Sequence, residues 1–242
     1  MQLPIITGLA QATLESTTSA FALNFKAVNA AGVSLNNATA IIEKVNPKNG
    51  ITKTICHETS LIALLAYNAT VDPDQHVSQK EVANVLTEVE GLILLARNGA
   101  LTLETDETLI ITLKGLQTTA TYTINAIEHP NLYGQPVEYL PYSTKGQTSN
   151  EYDLNDVDAV LIEKSLAPTI ELQYPARRMK ISQAETDIII GQMHGVVITK
   201  NVDGLATFDK YTDDTFNVVH VNECSRMYLN SNNTTGLVVL VK

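Results

Sequence analysis

Three reactive side-chain types stand together at Cys56-His57-Glu58. A thiol, an imidazole and a carboxylate can act as nucleophile, base and orienting group only if they converge on one point. The residues around them are strand-like, and neighbouring side chains on a strand point to opposite faces. The three are therefore expected to serve structure. Asp153, Asn155, Asp156 and Asp158 offer hard oxygen ligands of the kind that Ca²⁺ takes in numbers. The run lacks the glycine of an EF-hand loop, so an exposed acidic loop is the plainer reading, and these four stand as the candidate Ca²⁺ ligands. The five His are scattered; His194, between Gly191 and Gly195, reads as a surface residue in a tight turn. No Gly-x-Ser-x-Gly elbow, phosphate-cradling glycine loop, Cys-x-x-Cys pair or His-Glu-x-x-His helix occurs. No catalytic residue and no organic cofactor is assigned, and the chain is expected not to be an enzyme.

Composition narrows the partners. The net charge is −10, with 44% hydrophobic and 17% charged residues, which describes a folded chain without the clustered Lys and Arg that nucleic acid requires. The one adjacent basic pair, Arg177-Arg178, follows Pro175 and reads as an exposed loop. Cys56 and Cys224 sit among strand-like residues and are expected as buried free thiols rather than a disulfide. The start of the chain has no basic flank, and Pro4 and Gly8 break its apolar run, so it does not read as a secretory signal. The longest apolar run, Leu61–Ala66, is far short of the roughly 20 residues that span a bilayer. Asn37, Asn68 and Asn233 begin glycosylation patterns that carry little weight without a signal.

The elements are mostly strands. Residues 1–17 are small and polar and read as an arm. Phe21, Leu23 and Phe25 alternate with polar neighbours in a half-buried strand over 19–28, and 38–45 is a second. Asn46-Pro47-Lys48-Asn49-Gly50 is a hairpin turn that returns the chain through 51–56. Residues 59–67 are apolar at nearly every position and read as a short buried helix. Ser78 and Glu81 make a capping box, with Val82, Val85, Leu86 and Val89 at helical spacing and Gly91 as C-cap. Residues 92–96 and 100–104 read as a hairpin around Asn98-Gly99, and 109–113 as a closing strand. A strand over 119–127 follows, then an elaborated loop over 128–158.

The order then recurs. Ser182-Gln183-Ala184-Glu185 through Gly195 repeats Ser78 through Gly91 at an offset of 104. Ala159–Lys164 echoes Thr39–Lys44 at 120, and Leu237–Lys242 echoes Leu109–Lys114 at 128. Val196–Lys200 and Leu205–Lys210 form the equivalent hairpin. The domains are thus an arm over 1–17, one sandwich over 18–116 and a second over 117–242. Many short strands in about 120 residues are the mark of a β-sandwich, and a helix late in each unit narrows this to a jelly roll. The fold class is all-β with short helices: two tandem jelly-roll sandwiches, a double jelly roll.

This order of elements, with the strand-then-helix passage from Ile51 through His57 to Asn68, resembles the double jelly-roll major capsid proteins of tailless, membrane-containing viruses of the corticovirus and tectivirus type. The resemblance implies a virion location and a homotrimer of pseudo-hexagonal outline. It implies trimers that tile an icosahedral shell over an inner membrane, beside neighbouring capsomers and other virion proteins. The other reading is a tandem-sandwich module of a virion that binds a receptor or glycan. For that reading, Tyr122, Tyr133, Tyr139, Tyr142 and Tyr152 gather around the second-half loop, where aromatic rings can stack on sugars.

Overall fold

The computed structural model describes residues 1–71, 77–166, 168–182, 184–185, 197–202, 205–210 and 215–242, the segments 197–202 and 205–210 by their backbone alone. In chain order the first strands are β1 (Ile6–Thr7), β2 (Gln11–Ser16), β3 (Ala22–Val28), β4 (Thr39–Asn46) and β5 (Ile51–Ser60). The helix α1 (Leu61–Val71) precedes β6 (Ser78–Val82), β7 (Val85–Leu94), β8 (Ala96–Arg97), β9 (Thr108–Lys114), β10 (Thr121–Ile127) and β11 (Gln135–Pro136). Next come β12 (Tyr139–Ser143), β13 (Ser149–Asp153), β14 (Ala159–Glu163), β15 (Thr169–Gln173) and β16 (Arg178–Ile181). The last are β17 (Val197–Val202), β18 (Leu205–Lys210), β19 (Phe216–His220), β20 (Arg226–Asn230) and β21 (Leu237–Val241). The chain divides into two compact units, Met1–Glu138 with Val196–Tyr211, and Tyr139–Gly195 with Thr212–Lys242.

The second unit is the plainer jelly roll. Strands β19-β14-β21-β12 lie side by side as one layer, and β13-β20-β15-β16 form the other. The chain passes from layer to layer as it winds, from β12 to β13, back to β14, across to β15 and β16, and through β19 and β20 to β21. Eight antiparallel strands wound between two layers define this fold. Its core is the alternating inward set of both layers. Val160, Ile162, Val238 and Leu240 come from the first layer, and Ile170, Leu172, Met227 and Leu229 from the second. All eight are at most 3% exposed.

The first unit shares the two-layer plan but winds differently, since β4 turns straight back into β5 within one layer where β14 leads across to β15. Strands β5-β4-β9-β2 lie side by side, and β1-β10-β3-β7-β6-β17-β18 form the facing sheet. The echoed segments occupy matching places: β4 pairs antiparallel with β9, and β14 with β21. Alternation drives burial. Leu23, Phe25 and Ala27 of β3 are buried, as are Tyr122, Ile124 and Ala126 of β10, while Lys26 lies on the outer face and reaches Glu88 at 2.6 Å and Glu90 at 3.2 Å. The Asn46–Gly50 turn forms as expected, with the Gly50 N–H donating to the Asn46 carbonyl at 2.9 Å and Gly50 at φ 70°.

The short buried helix expected over 59–67 is α1, displaced toward the C-terminus because β5 runs on to Ser60. Leu61 and Ala63 through Thr70 are all buried, and a helix apolar on every side must be covered on every side. Gly91 makes room for it: a Cβ there would stand 3.0 Å from Leu65 Cδ2.

Several expectations are corrected. Residues 78–91 are a hairpin, not a capped helix. Ala83 and Asn84 take positive φ (50° and 63°) and turn the chain in two residues, so that Val82 pairs with Val85. A two-residue turn resets the alternation of a strand, and apolar residues on its two sides then fall three or four apart, as they would on a helix. The ladder decides between the two, because β7 is hydrogen-bonded to β3 on one side and β6 on the other. The box at Ser182 does form. Its N–H and hydroxyl both donate to Glu185 Oε2 at 2.7 Å, and the Glu185 N–H returns to Ser182 Oγ at 3.4 Å. The helix expected beyond it, and Gly195, lie outside the described residues.

Residues 1–17, expected as an arm, are laid into both layers, β1 against β10 and β2 against β9, because Leu3, Ile6 and Leu14 are buried there. The strand over 121–127, expected to open the second sandwich, pairs with β3 in the first unit. The hairpin expected around Asn98-Gly99 does not pair with itself. Ala96–Arg97 pairs with Gln135–Pro136, and Leu101 bridges to Ala20. The supposed loop over 128–158 contains β11, β12 and β13, whose buried residues are interleaved with polar ones. The β17–β18 hairpin forms, and β17 runs parallel to β6 in the first unit's sheet.

Candidate assembly surfaces

Cys56 ends its side chain in the core. It is 0% exposed, and its thiol donates to the Ala40 carbonyl at 3.6 Å and the His57 carbonyl at 3.3 Å. Burial pushes the thiol up to about 12, against a smaller lowering by Thr59. His57 and Glu58 are exposed. Glu58 accepts from Lys114 Nζ at 2.8 Å, which is the first cause holding its carboxyl below the usual range. The three side chains do not converge: the Cys56 thiol lies in the core, while His57 and Glu58 face solvent. Cys224 is also buried and free.

The acidic run is a tight turn pinned by its apolar members. Leu154 and Val157 are buried, and Asp153, Asn155 and Asp156 point outward. Asp153 Oδ1 accepts the Asn155 N–H at 3.0 Å, and Asp156 sits at φ 61°. Asp158 is set apart, its N–H donating to the Val241 carbonyl at 2.8 Å. Among the described residues no three His, Cys, Asp or Glu side chains come together as a metal site would need. His194 lies outside the described residues.

Asp153, Asn155 and Asp156 are among the residues lining a groove of about 560 Å³ in the second unit. Pro141, Tyr142, Ser143, Lys145, Leu240 and Lys242 line it as well. Tyr142 is 43% exposed and meets the Tyr152 ring edge to face at 5.9 Å between centroids. Tyr152 itself is 8% exposed, and desolvation raises its phenol. Of the five tyrosines gathered by sequence, Tyr122, Tyr139 and Tyr152 serve the cores, and Tyr133 and Tyr142 remain for contact. Tyr133 is 80% exposed and neighbours Leu132 at 54%. Leu132 was not singled out from sequence. Its signal was a large apolar pair enclosed between Asn131 and Gly134, in a stretch otherwise polar.

The remaining exposed apolar side chains are spread over the first unit, among them Ile5, Leu9, Ile51, Val82 and Val85. Of the glycosylation patterns, Asn37 and Asn233 are exposed, but Asn68 is 3% exposed within α1 and closed to modification. Strand cations face carboxylates: Lys44 meets Glu107 at 2.6 Å, Lys53 meets Glu138 at 2.8 Å and Arg226 meets Glu151 at 2.8 Å.

No protein-family model matches the sequence, and no curated protein is similar to it in sequence. Solved structures are similar in fold. The major capsid protein P2 from bacteriophage PM2 superposes with a TM-score of 0.53 at 11% identity, covering 100% of this chain and 93% of that one. A chain from the atomic structure of Sulfolobus Turreted Icosahedral Virus superposes with a TM-score of 0.58 at 12% identity, covering 100% and 88%. The chain is therefore a double jelly roll, with the fold of the PM2 major capsid protein along its whole length.

Proposed function

We propose that this chain is a structural subunit of a virion shell, located in the capsid and working by assembly rather than catalysis. The observation that carries the reading is the pairing of two jelly rolls in one chain whose full length follows the fold of a major capsid protein. Three copies of a chain with two similar sandwiches bring six sandwiches around one axis, which gives a trimer the near-hexagonal outline that tiles a shell. Such a shell is held by many modest contacts between partly polar faces. The homotrimer, the icosahedral lattice, the inner membrane beneath it and the bacteriophage origin belong to this proposal, as do the neighbouring capsomers and other virion proteins as partners.

Electron microscopy of the purified chain tests it. Particles of threefold symmetry with a six-cornered outline are expected, and isolated two-lobed monomers at micromolar concentration would remove the reading. The groove beside Tyr142 favours a second reading, a receptor- or glycan-binding module of a virion. A glycan array without hits removes that alternative.

A further inference from the structure

We propose that Asn49, at the tip of the β4–β5 hairpin, is a site of spontaneous deamidation, converted to aspartate and isoaspartate through a cyclic imide formed with the Gly50 nitrogen. Asn98, the other asparagine that precedes a glycine, is kept out of the same reaction by its packing.

The chemistry needs an asparagine whose Cγ is reached by the backbone nitrogen of the next residue. A glycine in that next place suits it best, because it has no Cβ to crowd the approach. The chain holds two such pairs, Asn49-Gly50 and Asn98-Gly99. They are equal in sequence and lie in opposite surroundings.

The first pair is open. Asn49 and Gly50 are both exposed, so water and hydroxide reach the amide. A Cβ on Gly50 would meet nothing within 4 Å, so the peptide there turns without striking a neighbour. Asn49 Oδ1 accepts the Ile51 N–H at 3.0 Å. That donor is already aimed at the oxygen on which negative charge gathers when Cγ is attacked, as in other acyl transfers. One bond resists: the Gly50 N–H donates to the Asn46 carbonyl at 2.9 Å and must let go first. It is a single exposed turn bond, and opening it slows the reaction by about tenfold at most relative to the unfolded chain.

At the second pair the glycine is walled in. Gly99 is buried, and a Cβ on it would lie 2.8 Å from Gly134 N and 2.9 Å from Asn131 Nδ2. Asn131 Nδ2 donates to the Asn98 carbonyl at 2.6 Å, which fixes the very peptide that would have to rotate. The Asn131 carbonyl accepts the Ala100 N–H at 2.9 Å on the far side of Gly99, and Ala100 is buried. Turning the Gly99 nitrogen onto Asn98 Cγ would disrupt these together, so Asn98 reacts only after local unfolding.

The step balances with solvent alone. Base removes the Gly50 N–H proton, the nitrogen bonds to Asn49 Cγ, the Cγ–Nδ2 bond breaks, and ammonia leaves with a proton taken from water. Water then opens one of the two imide carbonyls, giving aspartate or, where the backbone now runs through the side-chain carbon, isoaspartate. Either product adds one negative charge to a chain of net charge −10, beside Lys48, whose Nζ meets Asp106 Oδ1 at 2.7 Å. Isoaspartate also inserts a carbon into the backbone between Asn46 and Ile51, which pair across the hairpin, and so strains the end of the β4–β5 ladder.

The test is peptide mapping of the wild-type chain held at mildly alkaline pH, native and in guanidinium chloride, against a sample digested at the start. Trypsin places the two asparagines in different peptides, one ending at Lys53 and one ending at Lys114. In the native chain the Lys53 peptide is expected to gain one mass unit at position 49 and to split into two chromatographic forms. Its rate should fall within about tenfold of that in guanidinium chloride. The Lys114 peptide should stay unchanged in the native chain and convert once the chain is unfolded. Gly50→Ala, which adds the missing Cβ, should leave position 49 intact over the time in which the wild type converts. A native wild-type chain whose Lys53 peptide stays unmodified overturns the inference whatever that variant does. So does native conversion at Asn98 as fast as at Asn49, because packing would then not protect it.

Discussion

Ala83→Gly separates the hairpin from the helix by the sign of its effect. Ala83 is exposed, at φ 50°, in the two-residue turn between β6 and β7. An L-residue held in the left-handed region costs about 1–2 kcal/mol, and glycine there costs almost nothing. Against this, glycine gains about 0.4–1 kcal/mol of conformational freedom in the unfolded chain. The net expectation is a gain of roughly 0.5–1 kcal/mol. In a chain of this size about 1 kcal/mol moves the melting temperature by about 2–4 °C, so a rise of about 1–4 °C is expected. Were 82–89 a helix, the same change would sit in its interior and cost about 1 kcal/mol, with a fall of similar size. The combined change Ala83→Asn with Asn84→Gly installs the pair that two-residue hairpins favour and should raise stability further. Thermal unfolding monitored by circular dichroism reads both. A fall in melting temperature for Ala83→Gly refutes the turn, and with it the placement of β6 and β7 in the first sheet.

Other changes probe the rest of the molecule. Gly115→Ala places a Cβ 2.0 Å from the Asn37 carbonyl oxygen at φ 64°, so strain and overlap together should cost about 2–5 kcal/mol in denaturant unfolding. Both thiols should resist a thiol reagent at pH 8 in the native chain and react in full once it is unfolded; rapid native reaction of Cys56 would contradict its burial. Because folding lifts the Cys56 thiol from 9.0 to about 12, its contribution to stability is complete below pH 9 and is lost as pH rises toward about 12. Cys56→Ala should flatten that alkaline decline. Glu107 is held low, first by the Glu104 backbone N–H and then by Lys44, so its contribution is present above the ordinary carboxylate range and lost as pH falls through its folded value. Glu107→Gln should therefore reduce the acid sensitivity of unfolding and leave stability near pH 9 with little further slope.

Legibility followed how local each signal was. Alternation over 22–28 and 108–114, the Asn46–Gly50 turn and the buried helix were legible because side-chain period and turn chemistry act within a few residues. The echoes of Thr39 in Ala159 and of Leu109 in Leu237 marked equivalent strands, since β4 and β14 occupy the same place in their layers. Ser78-x-x-Glu81 misled because a capping box needs a helix that tertiary pairing did not allow, while the identical pattern at Ser182 does close. Strand partners were beyond reach: nothing local tells 121–127 to pair with β3, or 197–202 to lie along β6. Of the contact surfaces, the exposure of Tyr133 and Tyr142 could not be distinguished from the burial of Tyr122, Tyr139 and Tyr152, because ring exposure is fixed by which layer each strand joins.

Sedimentation equilibrium of the purified wild-type chain across the micromolar range weighs most on the whole interpretation. A shell subunit with two sandwiches per chain should sediment at three times the chain mass, with the trimer persisting on dilution. A single chain mass throughout that range would mean that these sandwiches do not build a capsomer.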